Sequence, residues 1–342
     1  MRYSLGRHLV TGSAGFIGYH LCKRLLDEGR DVVGVDAMIG AYDPALKHAR
    51  LARLLQHPNY RHHAADLADP AVLTTVFDQP FARVIHLAAW PGVRLGDHHP
   101  DVYVRSNVNS MAQVLEGCRR QGVPHLLFAS SSSVYGDHGR LPFTEDLATD
   151  HPRSFYAATK KAGEVMAHAW SSLFGLPVTG LRLFTVYGPY GRPDMAVFRF
   201  TRAILRDEPI QVYQGGQLKR DFTYVDDVVE AIRRLSETVP APDPDFDPKA
   251  PRPDRSDAPF RIYNVGNQAP VGTHEVIDAL EAALGRKARR VDHPQQAGDV
   301  QTTWADSSAL AAATGFVPST SLREGIFRFV RWYLEYYGES PT

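Results

Sequence analysis

The 342-residue chain contains only two cysteines, Cys22 and Cys118, no apolar run long enough to span a bilayer, and no excess charge of either sign. Both thiols fall in apolar helical patterns, so they read as buried side chains and exclude a disulfide framework. With neither a spanning run nor a signal-peptide pattern, the expected location is cytoplasmic. Basic and acidic side chains balance at 38 each, which removes any electrostatic case for nucleic acid or a membrane surface. There is no internal repeat. No metal-ligand spacing occurs either: His62-His63 and His98-His99 are adjacent pairs that cannot share a helix face. The basic run Arg286 to Arg290 reads as a solvated turn.

What is present is a glycine-rich turn between a strand pattern and a helix pattern. Arg7 to Thr11 reads as a short buried strand, Gly12-Ser-Ala-Gly15-Phe16-Ile17-Gly18 as the turn, and Tyr19 to Glu28 as the helix, closed by Gly29. A second strand, Asp31 to Asp36, ends in a carboxylate. Glycines at this place let backbone approach a pyrophosphate seated on a helix N-terminus. Asp36 suits a ribose with a free 2′-hydroxyl and repels a 2′-phosphate, so NAD is expected rather than NADP.

The first half continues to alternate. Strands are expected at Tyr60–His63, Val84–Ala88, His125–Ser130 and Pro177–Phe184, and helices at Pro70–Asp78, Asp101–Gln121 and Ser154–Phe174. Such alternation predicts an α/β fold of Rossmann type, a doubly wound parallel sheet with ligands at the carboxyl ends of its strands. The less regular second half predicts a smaller, mostly C-terminal α/β substrate lobe. Residues 1–183 and about 222–266 are assigned to the dinucleotide domain, and 184–221 with 267–342 to the lobe. Residues 238–259, rich in Pro and Asp, read as a surface insert with room to move. The helix Leu322–Tyr337 carries an apolar stripe of Ile326, Phe329, Val330 and Tyr333, as core helices do.

Chemistry is concentrated in Tyr156-Ala-Ala-Thr-Lys160, preceded by the serine run Ser130 to Ser133. Phenol and ammonium lie one helical turn apart on one face. A fixed cation favours the phenolate, and a serine hydroxyl on a neighbouring strand can bind the same substrate oxygen. The combination suits proton transfer on an alcohol. Alone, a Tyr and a Lys at this spacing occur by chance on many solvated helices; the glycine turn and the acid give the pair its meaning.

Through Gly12, Gly15, Gly18, Asp36, Asp66-Leu67, His86-Leu87-Ala88-Ala89, Ser131, Tyr156 and Lys160 the chain resembles the extended short-chain dehydrogenase/reductase family over nearly its whole length. Within it the chain is most similar to the UDP-glucuronate 4-epimerases. The pointers are Leu46-Lys-His-Ala-Arg-Leu-Ala-Arg53, Gly92-Val-Arg94, Phe184-Thr-Val-Tyr-Gly-Pro-Tyr-Gly-Arg-Pro-Asp-Met195, Arg220-Asp-Phe-Thr-Tyr-Val-Asp-Asp227, and Gly298-Asp299 before Trp304-Ala-Asp306. One departure lies in Arg94-Leu-Gly-Asp-His-His-Pro100, where the family more often has an aromatic residue after the Arg.

The resemblance implies roles. Tyr156 takes the proton of the sugar C4 hydroxyl, Lys160 binds the nicotinamide ribose and lowers the tyrosine pKa, and Ser131 binds the C4 oxygen. NAD is held by Gly12, Gly15, Phe16, Ile17, Gly18, Asp36, Asp66, Leu67, Leu87, Ala88, Ala89, Asn107, Ser130 and Phe184, beside Tyr156 and Lys160. A UDP-sugar is met by Arg94, Ser131, Ser132, Ser133, Tyr156, Thr185, Arg192, Val212, Tyr213, Arg220 and Asp299. Asn107 also keeps the catalytic helix in shape. Plainer readings stand beside these: Arg192 and Arg220 as surface arginines, Asn107 as an ordinary residue near a helix start, Asp299 as a turn cap. Relatives often pair through the Asp101 and Ser154 helices, so a homodimer is expected.

Every candidate reaction begins with oxidation at C4. Related dehydratases carry an Asp-Glu pair where Ser132 and Ser133 stand, and related decarboxylases a Glu at the place of Ser133. A hydroxyl at that place can donate to a substrate carboxylate, and Arg192 offers a planar fork for it. The expectation is reversible C4 epimerisation of UDP-glucuronate to UDP-galacturonate through a 4-keto sugar. A UDP-glucuronate decarboxylase, a neutral UDP-hexose 4-epimerase and a non-enzymatic dinucleotide-binding regulator are the alternatives.

Overall fold

The computed structural model describes residues 6–39, 42–92, 99–294 and 300–339. Strand β1 (His8–Thr11) leads through the glycine turn into helix α1 (Phe16–Asp27) and back to β2 (Val32–Val35). Both strands are buried along their whole length, as strands covered on both faces by helices must be. Helix α2 (Ala45–Leu54), β3 (Tyr60–His63), the single turn α3 (Val72–Thr75) and β4 (Arg83–His86) follow. A long helical segment then runs from α4 (Pro100–Tyr103) through a π-helical stretch, Val104–Asn109, into α5 (Ser110–Gln121). Strand β5 (Leu126–Ser131), helix α6 (Phe155–Phe174) and β6 (Val178–Leu183) complete the alternating half.

Strand β7 (Thr185–Tyr187) opens the less regular half, followed by α7 (Ala196–Leu205), β8 (Pro209–Tyr213), β9 (Lys219–Tyr224) and α8 (Val225–Glu237). Then come β10 (Phe260–Val265), β11 (Pro270–Gly272), α9 (Thr273–Leu284), β12 (Arg289–His293), α10 (Ser308–Thr314) and α11 (Leu322–Tyr337). Seven strands form one parallel sheet in the order β10-β6-β5-β4-β1-β2-β3, while β11-β9-β7 and β12-β8 make two small sheets. This is the expected Rossmann-type α/β architecture. The chain order reverses between β1 and β4, and it is there, beyond the carboxyl ends of the strands, that such a sheet opens a crevice.

Four details differ from the sequence reading. Helix α3 is one turn where nine residues were expected, because Thr74 and Thr75 bond their hydroxyls back to the Ala71 carbonyl and the flanking bonds are of the tighter three-residue kind. The helix expected over Asp101–Gln121 is interrupted by the π-helical stretch. Helix α2 was not anticipated: its buried positions are Leu46, Arg50 and Leu54, so a cation breaks the apolar stripe. The Pro/Asp-rich insert is tied down rather than loose. Asp243 and Asp254 are both buried, Asp243 ion-paired with Arg255 (3.1 Å) and Asp254 held by both Nε and Nη2 of Arg252 (3.0 Å each).

Behind the β5–α6 contact lies a buried polar network. Arg182 of β6 donates to both oxygens of Glu164 on α6 (2.9 and 3.0 Å) and to the Tyr135 hydroxyl (2.9 Å). Glu164 also accepts from the Ser130 hydroxyl at 2.6 Å. Cys22 and Cys118 are free thiols, fully buried, as the apolar patterns predict. Among the described residues no helix is long and apolar enough to cross a membrane.

Candidate active site

The turn after β1 is shaped by two glycines that no other residue can replace. Gly12 has φ 69°, and a Cβ there would lie 2.8 Å from the Ala88 amide nitrogen. At Gly18 a Cβ would come within 2.1 Å of the Gly12 carbonyl oxygen, so α1 packs directly on the turn. Helix α1 starts after Gly15 with no side-chain cap, which leaves its first N–H groups and the positive end of its dipole for an anion. A dinucleotide pyrophosphate fits this cradle.

Next to it, the Thr11 hydroxyl accepts from the Leu87 and Ala88 amides (3.1 and 3.2 Å) and is 2.8 Å from His86 Nδ1. With its lone pairs taken, the hydroxyl donates to Nδ1, so the imidazole is neutral. Burial accordingly pushes His86 down to about 3.

Asp36 at the end of β2 accepts from the Ala14 and Met38 amides and forms a 2.8 Å ion pair with Lys47 of α2. Lys47, quoted above only within the Leu46–Arg53 segment and given no site role, lines the same cleft. It offsets the charge on which the case against a 2′-phosphate rested. Asp66 is similarly engaged, by the Arg105 guanidinium at 2.8 Å.

Strand β5 delivers Ser130 and Ser131, and α6 delivers Tyr156 and Lys160. Ser154 caps α6, its hydroxyl accepting from the Ala157 amide at 3.1 Å, and so starts the helix two residues before the phenol. Lys160 Nζ donates to the Ala129 carbonyl at 3.0 Å and stands 5.8 Å from the Tyr156 ring centroid. Burial lowers this ammonium to about 8. The phenol behaves differently from the expectation. Burial pushes the Tyr156 pKa up, and the groups opposing that are the Ser131 hydroxyl and the Arg192 guanidinium rather than Lys160. Low-dielectric surroundings outweigh a cation whose own hydrogen bond goes to backbone.

One cleft brings together Gly12, Gly15, Phe16, Ile17, Gly18 and Asp36 with Asp66, Leu67, Leu87, Ala88 and Ala89. Ser130, Ser131, Tyr156, Lys160, Phe184 and Arg192 line the same cleft. Sequence reasoning gave no site role to Trp90, Tyr42 or Met195 there, although Met195 closes the quoted Phe184–Met195 segment.

Other expected residues stand apart from it or are already engaged. Asn107 is buried outside the lining: its side chain exchanges hydrogen bonds with the Trp90 backbone and donates to Thr159 Oγ1 (3.0 Å), one residue before Lys160. Ser132 and Ser133 lie in a 3₁₀ turn, where the Ser133 hydroxyl donates to that of Ser131 at 2.8 Å. Val212 is fully buried in the hydrophobic core, so its side chain is not available to a base. The Tyr213 hydroxyl donates to Gln211, and Arg220 donates to the carbonyls of Lys219 and Gln301. Thr185 opens β7, next to the lining residue Phe184. Arg192 is already engaged through Nε and Nη2 by Asp194 (3.1 and 2.5 Å), so one edge of its fork is occupied. Arg94 and Asp299 lie outside the described residues.

Comparison with known proteins gives the family of the chain. The family model described as "NAD dependent epimerase/dehydratase family" matches residues 8–248. The chain is 44% identical over 338 residues to a probable UDP-glucuronate 4-epimerase of Rhizobium meliloti (strain 1021), covering 98% of this chain and 99% of that protein. It is 44% identical to UDP-glucuronate 4-epimerase 1 of Arabidopsis thaliana, covering 96% of this chain and 77% of the plant protein. The fold is similar to the crystal structure of UDP-glucuronic acid 4-epimerase from Bacillus cereus in complex with UDP-glucuronic acid and NAD, with TM-score 0.86 and 32% identity over 97% of this chain and 100% of that one. The chain belongs to the NAD dependent epimerase/dehydratase family.

Proposed function

We propose that the protein interconverts UDP-glucuronate and UDP-galacturonate by inverting C4 of the sugar. One observation carries the reading. The alcohol-activating trio of Ser131, Tyr156 and Lys160 belongs to a cleft that also holds Arg192, and the neighbouring position 133 bears a hydroxyl, not a carboxylate. NAD, when bound, supplies the acceptor and later the donor of the C4 hydrogen with its electron pair. The protein's part is proton transfer and orientation. Tyr156 takes the C4–OH proton with Ser131 aligned on the same oxygen, and Lys160 below about pH 8 is the cation beside them.

The 4-keto uronate is a β-keto acid, prone to lose CO₂ when its C5–C6 bond aligns with the carbonyl π system. Arg192 and the Ser133 hydroxyl are the groups we assign to hold the carboxylate away from that alignment. A Glu at position 133 would instead repel it. The division of labour between residues 1–183 with 222–266 and residues 184–221 with 267–342 is part of the same proposal. Purified protein given UDP-glucuronate is expected to yield UDP-galacturonate at a stable equilibrium mixture. An exclusive yield of UDP-pentose and CO₂ would sink the assignment, and faster turnover of UDP-glucose than of UDP-glucuronate would favour a neutral-hexose enzyme.

A homodimer joined along the α4–α5 segment and α6 is the proposed assembly, acting in the cytoplasm. Its support is the presence of exposed apolar side chains on these helices: Val104, Val165, Leu173 and Phe174, the Leu173 residue 70% exposed. Sedimentation equilibrium at micromolar concentration is expected to return twice the chain mass of 38.0 kDa; a single-chain mass would end this part of the reading.

A further inference from the structure

Arg50 is the residue that broke the apolar stripe of α2, and its surroundings give it a reason to be there. Its side chain is fully buried. Nη1 donates to the Ala14 carbonyl in the glycine turn (3.0 Å) and to the Tyr42 hydroxyl (2.9 Å); Nη2 donates to the Tyr190 carbonyl (2.6 Å). Among the described residues no carboxylate pairs with it, and Nε has no hydrogen-bond partner. A buried guanidinium satisfied only by neutral oxygens costs far more than an apolar side chain of the same volume would. A leucine would serve the core of α2 better, so stability alone does not account for an arginine here.

The two carbonyls it joins belong to different parts of the site. Ala14 lies in the turn that cradles the dinucleotide, and its amide donates to Asp36. Tyr190 is in the loop that carries Arg192, and it is held at φ 56°, a left-handed conformation unfavourable for a tyrosine. The residue is fixed from three sides. Its ring packs on Tyr19 and Trp332 (centroids 5.1 and 4.9 Å), the Arg53 guanidinium stands 5.7 Å over it, and Arg50 holds its carbonyl. His20 of α1 adds a bond to the adjacent Pro189 carbonyl at 2.8 Å. The Arg192 loop is therefore hung from the cofactor turn, two residues from the guanidinium in the cleft.

We propose that Arg50 is a positioning residue that couples the dinucleotide turn to the Arg192 loop, so that seating NAD sets the guanidinium that retains the sugar carboxylate. The proposal rests on the UDP-glucuronate reading and extends it to the partition of the 4-keto intermediate. When the carboxylate is released, CO₂ departs with cleavage of C5–C6. The bonding pair becomes a C4–C5 enolate, and C5 takes up the proton first removed from the C4 hydroxyl. The net products are then UDP-4-ketopentose, CO₂ and NADH in place of UDP-galacturonate. Tyr156 and Ser131, carried on α6 and β5, remain where they were, so oxidation at C4 continues while its outcome changes.

Two readouts test this, using Arg50→Gln and Arg50→Lys in the full chain. The fraction of turnovers ending in CO₂ is expected to rise about tenfold or more in Arg50→Gln, with Arg50→Lys, able to reach one carbonyl but not both, in between. In a Tyr156→Phe background, saturating NAD is expected to tighten UDP-glucuronate binding about tenfold, and Arg50→Gln to abolish that gain while leaving the NAD-free affinity alone. If wild-type protein makes no UDP-galacturonate, the functional reading fails. If it does, and Arg50→Gln keeps both the wild-type CO₂ fraction and the NAD-dependent gain, the coupling is refuted. Should Arg50→Gln not fold, the same two quantities in Arg50→Lys decide it.

Discussion

Replacing Tyr156 with Phe is expected to lower kcat for UDP-glucuronate by ~10²–10⁴-fold, the usual contribution of a positioned general base. The phenyl ring fills the same space, so KM is expected to stay within about threefold, the pattern of a group acting on the transition state more than on the bound substrate. Its surroundings explain why the loss is not recovered by solvent. Tyr156 packs edge-on against Tyr103 with ring centroids 6.2 Å apart, and burial raises its pKa against the pull of Ser131 and Arg192. A water molecule in its place would lack both the fixed direction and the electrostatic support. Initial rates of UDP-galacturonate formation at saturating substrate measure the effect. A variant retaining more than a tenth of the wild-type kcat would remove Tyr156 from the proton-transfer role.

The second large effect is on stability in acid. Four imidazoles are held well below their ordinary value, chiefly by burial: His8 and His20 at about 4, His86 and His125 at about 3. Each stays neutral in the folded protein while the unfolded chain accepts a proton near pH ~6.5. Below that pH the unfolded state binds more protons, so the stability these residues contribute is complete above about 6.5 and is lost as pH falls toward the folded values. Glu145 works in the opposite sense. Burial raises it to about 7, so between its unfolded value of 4.5 and 7 it keeps a proton that the unfolded chain releases, and it cancels one of the four. Among these five groups the imbalance approaches roughly three protons, a slope of at most about 4 kcal/mol per pH unit. From about pH 6.5 to about 5 this removes up to about 6 kcal/mol, so against a total stability of ~5–15 kcal/mol the protein is expected to be strongly destabilised by about pH 5. Urea midpoints at pH 7.5, 6.5 and 5.5 measure it; equal midpoints at all three would contradict the assignment of these buried neutral histidines.

How much of this was readable beforehand depended on whether the signal was local. The βαβ unit, Asp36 and the Tyr156/Lys160 pair rest on spacing within one element and its neighbour, and the sequence holds that information directly. β3 and α11 have the bounds expected of them, α11 because its apolar stripe is periodic and Ser321 and Gly338 bound it. Helix α2 was hidden because Arg50 occupies a core position for reasons that lie in two distant loops. The ion pair of Lys47 escaped notice likewise, since its partner Asp36 is eleven residues away across a turn. Val212 was assigned from resemblance alone, and alternation along β8 turns its side chain into the core, which leaves only its backbone to meet a base. The engagement of Arg192 by Asp194 is a matter of side-chain geometry that no pattern encodes.

The Glu164 carboxylate has one more consequence. It sits one helical turn beyond Lys160 and grips Ser130 on β5 and Arg182 on β6 at once. The helix bearing Tyr156 is thereby pinned against sliding along both of the strands it covers. The reacting groups lose their alignment only when the central sheet itself comes apart. Warming should therefore give no compact but inactive form on the way to denaturation, so that loss of catalysis and loss of fold are one event.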